Sequence, residues 1–108
     1  MSTRLEALLH LVQKDENDSF SRYGLAMEYA SAGDYAKAVE TFNELIRRDP
    51  LYHAAYYHLA KTYEAMGNTQ EAVRTYETGI FVAKKLNNQH AMSEMTEARD
   101  ELKNATES

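Results

Sequence analysis

The chain has 108 residues, no cysteine and a formal net charge of −5 at pH 7. This length suits one domain, and the absence of cysteine excludes disulfides, zinc–cysteine sites and thiol nucleophiles. The acidic balance argues against a nucleic-acid partner, because phosphate binding needs clustered lysine and arginine. The apolar run at residues 7–12 is too short and too polar for export or for crossing a membrane. We therefore expect a cytoplasmic protein without a membrane partner.

The first predicted element is an amphipathic helix over residues 3–14. Thr3 and Glu6 have the spacing of a capping box, which satisfies exposed amides at a helix start. The apolar side chains of this segment fall at helical spacing and form one stripe: Leu5, Leu8, Leu9, Leu11 and Val12.

The second and third helices are predicted over residues 19–31 and 35–48. Gly33 ends the second helix, because glycine tolerates the left-handed conformation that follows a helix C-terminus. Asp34 is a suitable N-cap for the third helix. Pro50 stops that helix, since proline lacks the amide that a helix interior needs.

The same order of elements then recurs. A fourth helix is predicted over residues 51–66 and ends at Gly67. A fifth helix runs to about residue 86, and a sixth covers residues 89–103. The last residues, 104–108, are expected to be frayed, as chain ends commonly are.

Residues 25–42 recur as residues 59–76, at a constant offset of 34. The alanines and glycines show it most clearly: Ala26 with Ala60, Gly33 with Gly67, and Ala38 with Ala72. A fixed period of about 34 residues predicts a helix-turn-helix repeat.

The repeated positions resemble the tetratricopeptide repeat. The first copy carries the pattern at Arg22, Leu25, Ala26, Tyr29, Ala38, Phe42 and Pro50, and the second at Tyr56, Leu59, Ala60, Tyr63, Ala72 and Tyr76. Three positions depart from it: Arg22 replaces the usual aromatic, Gly79 stands where alanine is preferred, and Lys84 takes the place of the second proline. The chain as a whole is similar to the short stand-alone repeat proteins of bacteria.

The resemblance implies an all-α solenoid in a single domain, with two repeats over residues 19–50 and 51–86. At least three repeats are normally required to bury a continuous core. We therefore expect the helices at 3–14 and 89–103 to act as N-terminal and C-terminal caps. If a cap is imperfect, homodimerisation would cover the remaining apolar surface.

In this family the first helix of each repeat lines a concave groove that receives a peptide. The resemblance thus implies a noncatalytic adaptor or scaffold for protein–protein interaction. The groove positions of this sequence are Phe20, Tyr23, Met27, Tyr57, Lys61 and Glu64. Tyr23 and Tyr57 are expected to stack as a ladder along the groove. The alternatives are that this face closes a homodimer or that its tyrosines only pack helices together.

One subtype of the family grips a C-terminal carboxylate with lysine and asparagine on the first groove helix. Here Tyr23 and Met27 occupy those places, and Lys61 is the one cation on the second groove helix. The resemblance therefore does not extend to a carboxylate clamp.

No catalytic, metal or cofactor motif is present, so we expect no enzyme activity, no metal and no cofactor. The histidines lie on different predicted helices and are expected to be solvated: His10, His53, His58 and His90. Three methionines could form an adaptable apolar patch, although such residues more often fill gaps in a core: Met66, Met92 and Met95.

Overall fold

A computed structural model describes residues 3–107 and shows six α-helices, with no strand in that range. The all-α prediction is confirmed. The helices are α1 (Thr3–Lys14), α2 (Ser19–Ser31), α3 (Tyr35–Arg48), α4 (His53–Ala65), α5 (Thr69–Lys85) and α6 (Gln89–Glu107).

The polar residues between the helices act as N-caps. The side chains of Asp18, Asp34 and Asn68 each accept a hydrogen bond from a backbone N–H in the first turn of α2, α3 and α5, respectively. Gly33 and Gly67 have φ of 80° and 78°, the left-handed conformation predicted for the ends of α2 and α4. These local signals explain why most helix boundaries agree with the sequence prediction.

Two boundaries differ from the prediction by more than one residue. Helix α4 begins at His53 rather than at residue 51, because the amide of Tyr52 donates to the carbonyl of Asp49 in the turn after Pro50. The prediction that residues 104–108 fray is wrong for residues 104–107, which continue α6 as regular helix, and residue 108 lies outside the described residues. That segment contains neither glycine nor proline, so nothing in it breaks the helix.

The helices form two layers, and neighbouring helices lie closer together in one layer than in the other. Helix α4 packs on α2 and on α6, in addition to its sequence neighbours. By contrast, no Cα of α3 lies within 8 Å of one in α5, and a cleft of about 190 Å³ opens between these two helices. Because α2, α4 and α6 are closer together than α3 and α5, the stack curves, and its concave face is formed by α2, α4 and α6.

The core consists of one buried cluster for each helix pair. The first cluster contains Ala26, Ala38, Phe42, Leu45, Ala55 and Leu59. The second contains Tyr56, Ala60, Tyr76, Val82, Ala83, Ala91 and Met95. The small side chains Ala26 and Ala60 are fully buried and let the paired helices approach closely.

The two flanking helices differ in how they join this core. Helix α6 contributes Ala91 and Met95 to the second cluster, whereas α1 has no buried residue. Met95 is a core residue, so the interpretation of methionine as gap filler is confirmed at this position. Of the other two methionines, Met66 is exposed and Met92 is half-buried, so neither is a core residue.

Two of the three departures from the repeat pattern, at Arg22 and Gly79, have physical explanations. Arg22 is buried, and its Nη1 donates to the carbonyl of Glu16 at 2.5 Å. A Cβ added to Gly79 would lie 2.5 Å from Sδ of Met95 and 2.7 Å from Cβ of Tyr56, so only glycine fits there.

Candidate functional site

The predicted groove residues lie on α2 and α4, two of the three helices that form the concave face. Tyr23 projects from α2 towards α4, where its ring centroid lies 5.4 Å from that of Tyr52 and 5.7 Å from that of His58. Tyr57 lies on α4, with its ring 5.1 Å from that of His58. Three rings therefore run in sequence from α2 along α4: Tyr23, His58 and Tyr57.

This arrangement corrects two expectations. None of the ring contacts found among residues 3–107 joins Tyr23 directly to Tyr57, so the predicted ladder of two tyrosines is wrong; His58 lies between them. The prediction that the histidines are solvated is also wrong for His58 and for His53, both of which are half-buried. The sequence could have indicated that His58 belongs to the groove, because it follows Tyr57 and lies three residues before Lys61, on the same side of the helix.

Burial lowers the pKa of His58, and the nearby ammonium of Lys61 acts in the same direction, while Glu94 opposes both. The imidazole is thus neutral at physiological pH. A neutral ring has one N–H donor and one acceptor nitrogen. It can hydrogen-bond to a peptide group without adding charge to the row of rings.

The other end of the row is polar and tied to the core. The hydroxyl of Tyr76, a fully buried residue, donates a hydrogen bond to the carboxylate of Glu64. Nζ of Lys61 lies 3.7 Å from Oε2 of Glu64 and 5.5 Å from the centroid of the Tyr57 ring. Glu64 therefore supports the packing of α5 on α4 in addition to lying beside the groove.

The remaining predicted residues border two clefts. Met27 lies at the edge of both. One cleft, of about 280 Å³, lies between α2 and α4 and reaches Tyr35, His58 and Lys61. The other, of about 480 Å³, lies between α1 and α2 and includes Phe20, which is 76% exposed. Sequence reasoning missed Tyr35 and the α1 side of this surface.

Within residues 3–107, no three histidine, aspartate or glutamate side chains are placed to hold a metal ion. No helix in that range is both long and apolar enough to cross a membrane.

Comparisons with known proteins agree with the repeat pattern. A sequence model of the tetratricopeptide repeat matches residues 23–82. A TPR repeat-containing protein of Pseudomonas aeruginosa is 30% identical over 92 residues, which cover 85% of this chain and 88% of that protein.

Solved structures agree as well. A tetratricopeptide repeat domain protein from Salinibacter ruber is 39% identical, with a TM-score of 0.77 over 82% of this chain and 89% of that chain. The TPR2B domain of yeast Sti1, solved as a complex with pHsp70, has a TM-score of 0.86 at 18% identity, over 94% of this chain and 81% of that chain. The family match spans more than half of the chain, and the six helices have the corresponding arrangement. The chain belongs to the tetratricopeptide repeat family.

Proposed function

We propose that this protein is a noncatalytic adaptor that binds a segment of another protein on the concave face of α2 and α4. The observation that carries the proposal is the row of rings formed by Tyr23, His58 and Tyr57 across these helices. Aromatic rings offer a large contact area, and their polar tips can bond a peptide backbone. The fold is shared with the TPR2B domain of yeast Sti1, which was solved in complex with pHsp70, and this supports the proposed class of function.

The chemistry of the face favours a segment with apolar side chains. Phe20 is 76% exposed, and the cleft beside Met27 has a volume of about 280 Å³, enough for one or two apolar side chains. Lys61 adds one cation, but Glu64 lies 3.7 Å from its ammonium. We therefore assign the binding energy to apolar contacts and to hydrogen bonds with the peptide backbone, and not to capture of a carboxylate.

The test uses the exposed residues of the groove. Alanine at Tyr23 or Tyr57 would also weaken the fold, because their rings pack against the buried Phe42 and Tyr76. Phe20→Ala removes a ring that is mostly exposed and should leave the fold intact. The matched control is Phe81→Ala on α5, whose ring is 61% exposed on a helix of the opposite layer.

Peptides would be selected from a displayed random library against the wild-type protein, and their affinities measured by calorimetry. We expect Phe20→Ala to weaken binding about tenfold or more, as removal of a central aromatic contact does, and Phe81→Ala to leave it unchanged. Equal affinities for wild type and Phe20→Ala would contradict the proposed site. If the wild type is instead a dimer whose mass does not grow with concentration, and Phe20→Ala converts it to a monomer, the face is a homodimer contact, which is the alternative function.

A further inference from the structure

Helix α1 has the register of the second helix of a repeat. At the offset of 34, its residues Arg4, Leu8 and Leu11 correspond to Ala38, Phe42 and Leu45 of α3. The three residues on α3 are fully buried in the first core cluster. On α1, Leu11 is 43% exposed, and all three residues border the open cleft of about 480 Å³. Within residues 3–107, no helix covers this face in the way that α2 covers α3.

Helix α6 has the register of the first helix of a repeat. Its buried residues Ala91 and Met95 follow Ala55 and Leu59 of α4 at an offset of 36. At the same offset, Met92 and Thr96 correspond to two residues that α4 buries in the cluster it shares with α5, namely Tyr56 and Ala60.

On α6 the corresponding face is open. Met92 and Thr96 are only half-buried and border a cleft of about 760 Å³. Ile80 of α5 forms part of its apolar floor. The residues that line it along α6 extend from Met92 to Asn104, a distance of about 18 Å at 1.5 Å per residue.

The two ends of the stack are therefore complementary in geometry. At one end of the stack, α1 has the register of the second helix of a repeat but lacks the first helix. At the other end, α6 has the register of a first helix but lacks the second helix. Helix α1 has 12 residues, so its length of about 18 Å equals that of the open stripe on α6.

The ends are also complementary in charge. Helix α6 carries five acidic and two basic side chains, whereas α1 carries two basic and one acidic. Glu97, Asp100 and Glu101 line the cleft on α6, and Lys84 of α5 is the one basic residue in its lining. Arg4 on the α1 face is paired with Glu28 of α2 but is 69% exposed. None of the ion pairs found among the described residues involves Glu97 or Glu101. Opposite charges of this kind favour the encounter of two surfaces and fix their orientation.

We propose that α1 of a second copy of this chain packs in the cleft of α6, so that the two helices form a composite repeat across the contact. The contact is heterologous, since each copy uses a different surface at each end, and successive copies extend the stack. This inference goes beyond the proposed adaptor function. The contact between two copies partly covers Phe20 and Met27, and it continues the concave face from one copy into the next.

The experiment blocks one end at a time. Leu11→Arg places a charge on the α1 face, and Thr96→Arg places one on the α6 face, at positions that are exposed and half-buried in the single chain. Leu51→Arg, at a leucine that is 49% exposed in the turn before α4, is the control. Circular dichroism and thermal unfolding confirm that each variant is folded.

Sedimentation velocity would then be measured over a range of protein concentrations. We expect wild type and Leu51→Arg to form species that grow with concentration, and each blocked variant alone to remain a monomer. Mixing Leu11→Arg with Thr96→Arg should give a one-to-one dimer that grows no further, because only one compatible pair of ends remains.

Three results would overturn the proposal: a wild type that stays monomeric at every concentration, a blocked variant that dimerises alone, or a mixture that stays monomeric. The second of these would indicate a closed twofold dimer. Should Thr96→Arg fail to fold, Glu97→Lys on the exposed rim of the same cleft replaces it. Leu11 borders the cleft that contains Phe20, whereas Thr96 and Glu97 line only the cleft on α6. Peptide affinity measured on the α6 variants therefore tells loss of self-association apart from loss of peptide binding.

Discussion

The two helix pairs, α2–α3 and α4–α5, make the same hydrogen bond with different residues. In the first pair, Nη1 of Arg22 donates to the carbonyl of Glu16 at 2.5 Å. In the second, the hydroxyl of Tyr56 donates to the carbonyl of Pro50 at 2.7 Å. Both donors and both acceptors are 34 residues apart. The repeat therefore specifies a long side chain with a polar tip at this position, and an aromatic ring is only one way to provide it.

The pairs differ in how their cores are filled. Leu45 is fully buried in the first pair, whereas the second has Gly79 at the corresponding position. The space beside Gly79 is taken by Met95 of α6. The first pair thus fills this position from its own α3, while the second depends on the helix that follows it.

We expect the largest effect on stability from Gly79→Leu, which gives the second helix pair the residue type that the first pair has at the corresponding position, Leu45. The new Cβ alone would lie 2.5 Å from Sδ of Met95. Overpacking on this scale should lower the free energy of unfolding by about 3 kcal/mol or more and displace α6. Urea denaturation followed by circular dichroism measures the change.

Gly24→Ala is the control for that change. Its Cβ would lie 3.1 Å from Cδ2 of Leu8, the mobile end of a side chain on α1 that is not fully buried. Steric cost and the better helix propensity of alanine should nearly cancel, leaving stability within about 1 kcal/mol of wild type. If Gly79→Leu were as mild as Gly24→Ala, the proposed role of Met95 as the filler of that space would be wrong.

A smaller effect is expected from exchanging the donor of the shared hydrogen bond. Arg22→Ala removes a side chain that is only 6% exposed together with its bond to Glu16, which should cost about 2 kcal/mol. Arg22→Tyr introduces the residue type found at position 56 and should recover most of that loss. Equal stabilities of the two variants in urea denaturation would show that the carbonyl contact contributes nothing.

The smallest effect is expected at Tyr76, which corresponds to Phe42 of the first pair. Tyr76→Phe removes the hydrogen bond to Glu64 and should cost about 1.5 kcal/mol at neutral pH, since Glu64 has access to solvent. Phe42 is the natural reference, because it occupies the same position without a hydroxyl group.

The same variant has a defined pH dependence. Burial, followed by the hydrogen bond and the charge of Glu64, raises the pKa of Tyr76 well above the ordinary value of a tyrosine. A raised pKa in the folded state means that this contribution to stability is fully present below about pH 10 and is lost as the pH rises further. The difference in unfolding free energy between wild type and Tyr76→Phe should therefore shrink in alkaline solution. A constant difference would contradict the assignment.

Much of the fold could be predicted because its signals are local. Gly33 and Gly67 adopt the left-handed conformation, and Asp34 and Asn68 cap the helices that follow them. Each of these effects depends on only a few neighbouring residues. The offset of 34 then supplied the pairing of the helices.

The candidate site was less predictable because its contacts cross between helices. The position of His58 between Tyr23 and Tyr57 depends on how α4 lies against α2, which periodicity alone does not give. The bond from Tyr76 to Glu64 likewise joins α5 to α4. The assignment of a peptide to this face remains a prediction.

Each helix of the stack contacts only helices that lie one or two places away along the chain. Contacts of this kind close short loops, so the entropy lost in forming them is small and the contact order is low. Such a chain folds by extension from any pair that forms first, on the fast end of the range for small domains. We expect unfolding to begin with α1, because this helix has no buried residue.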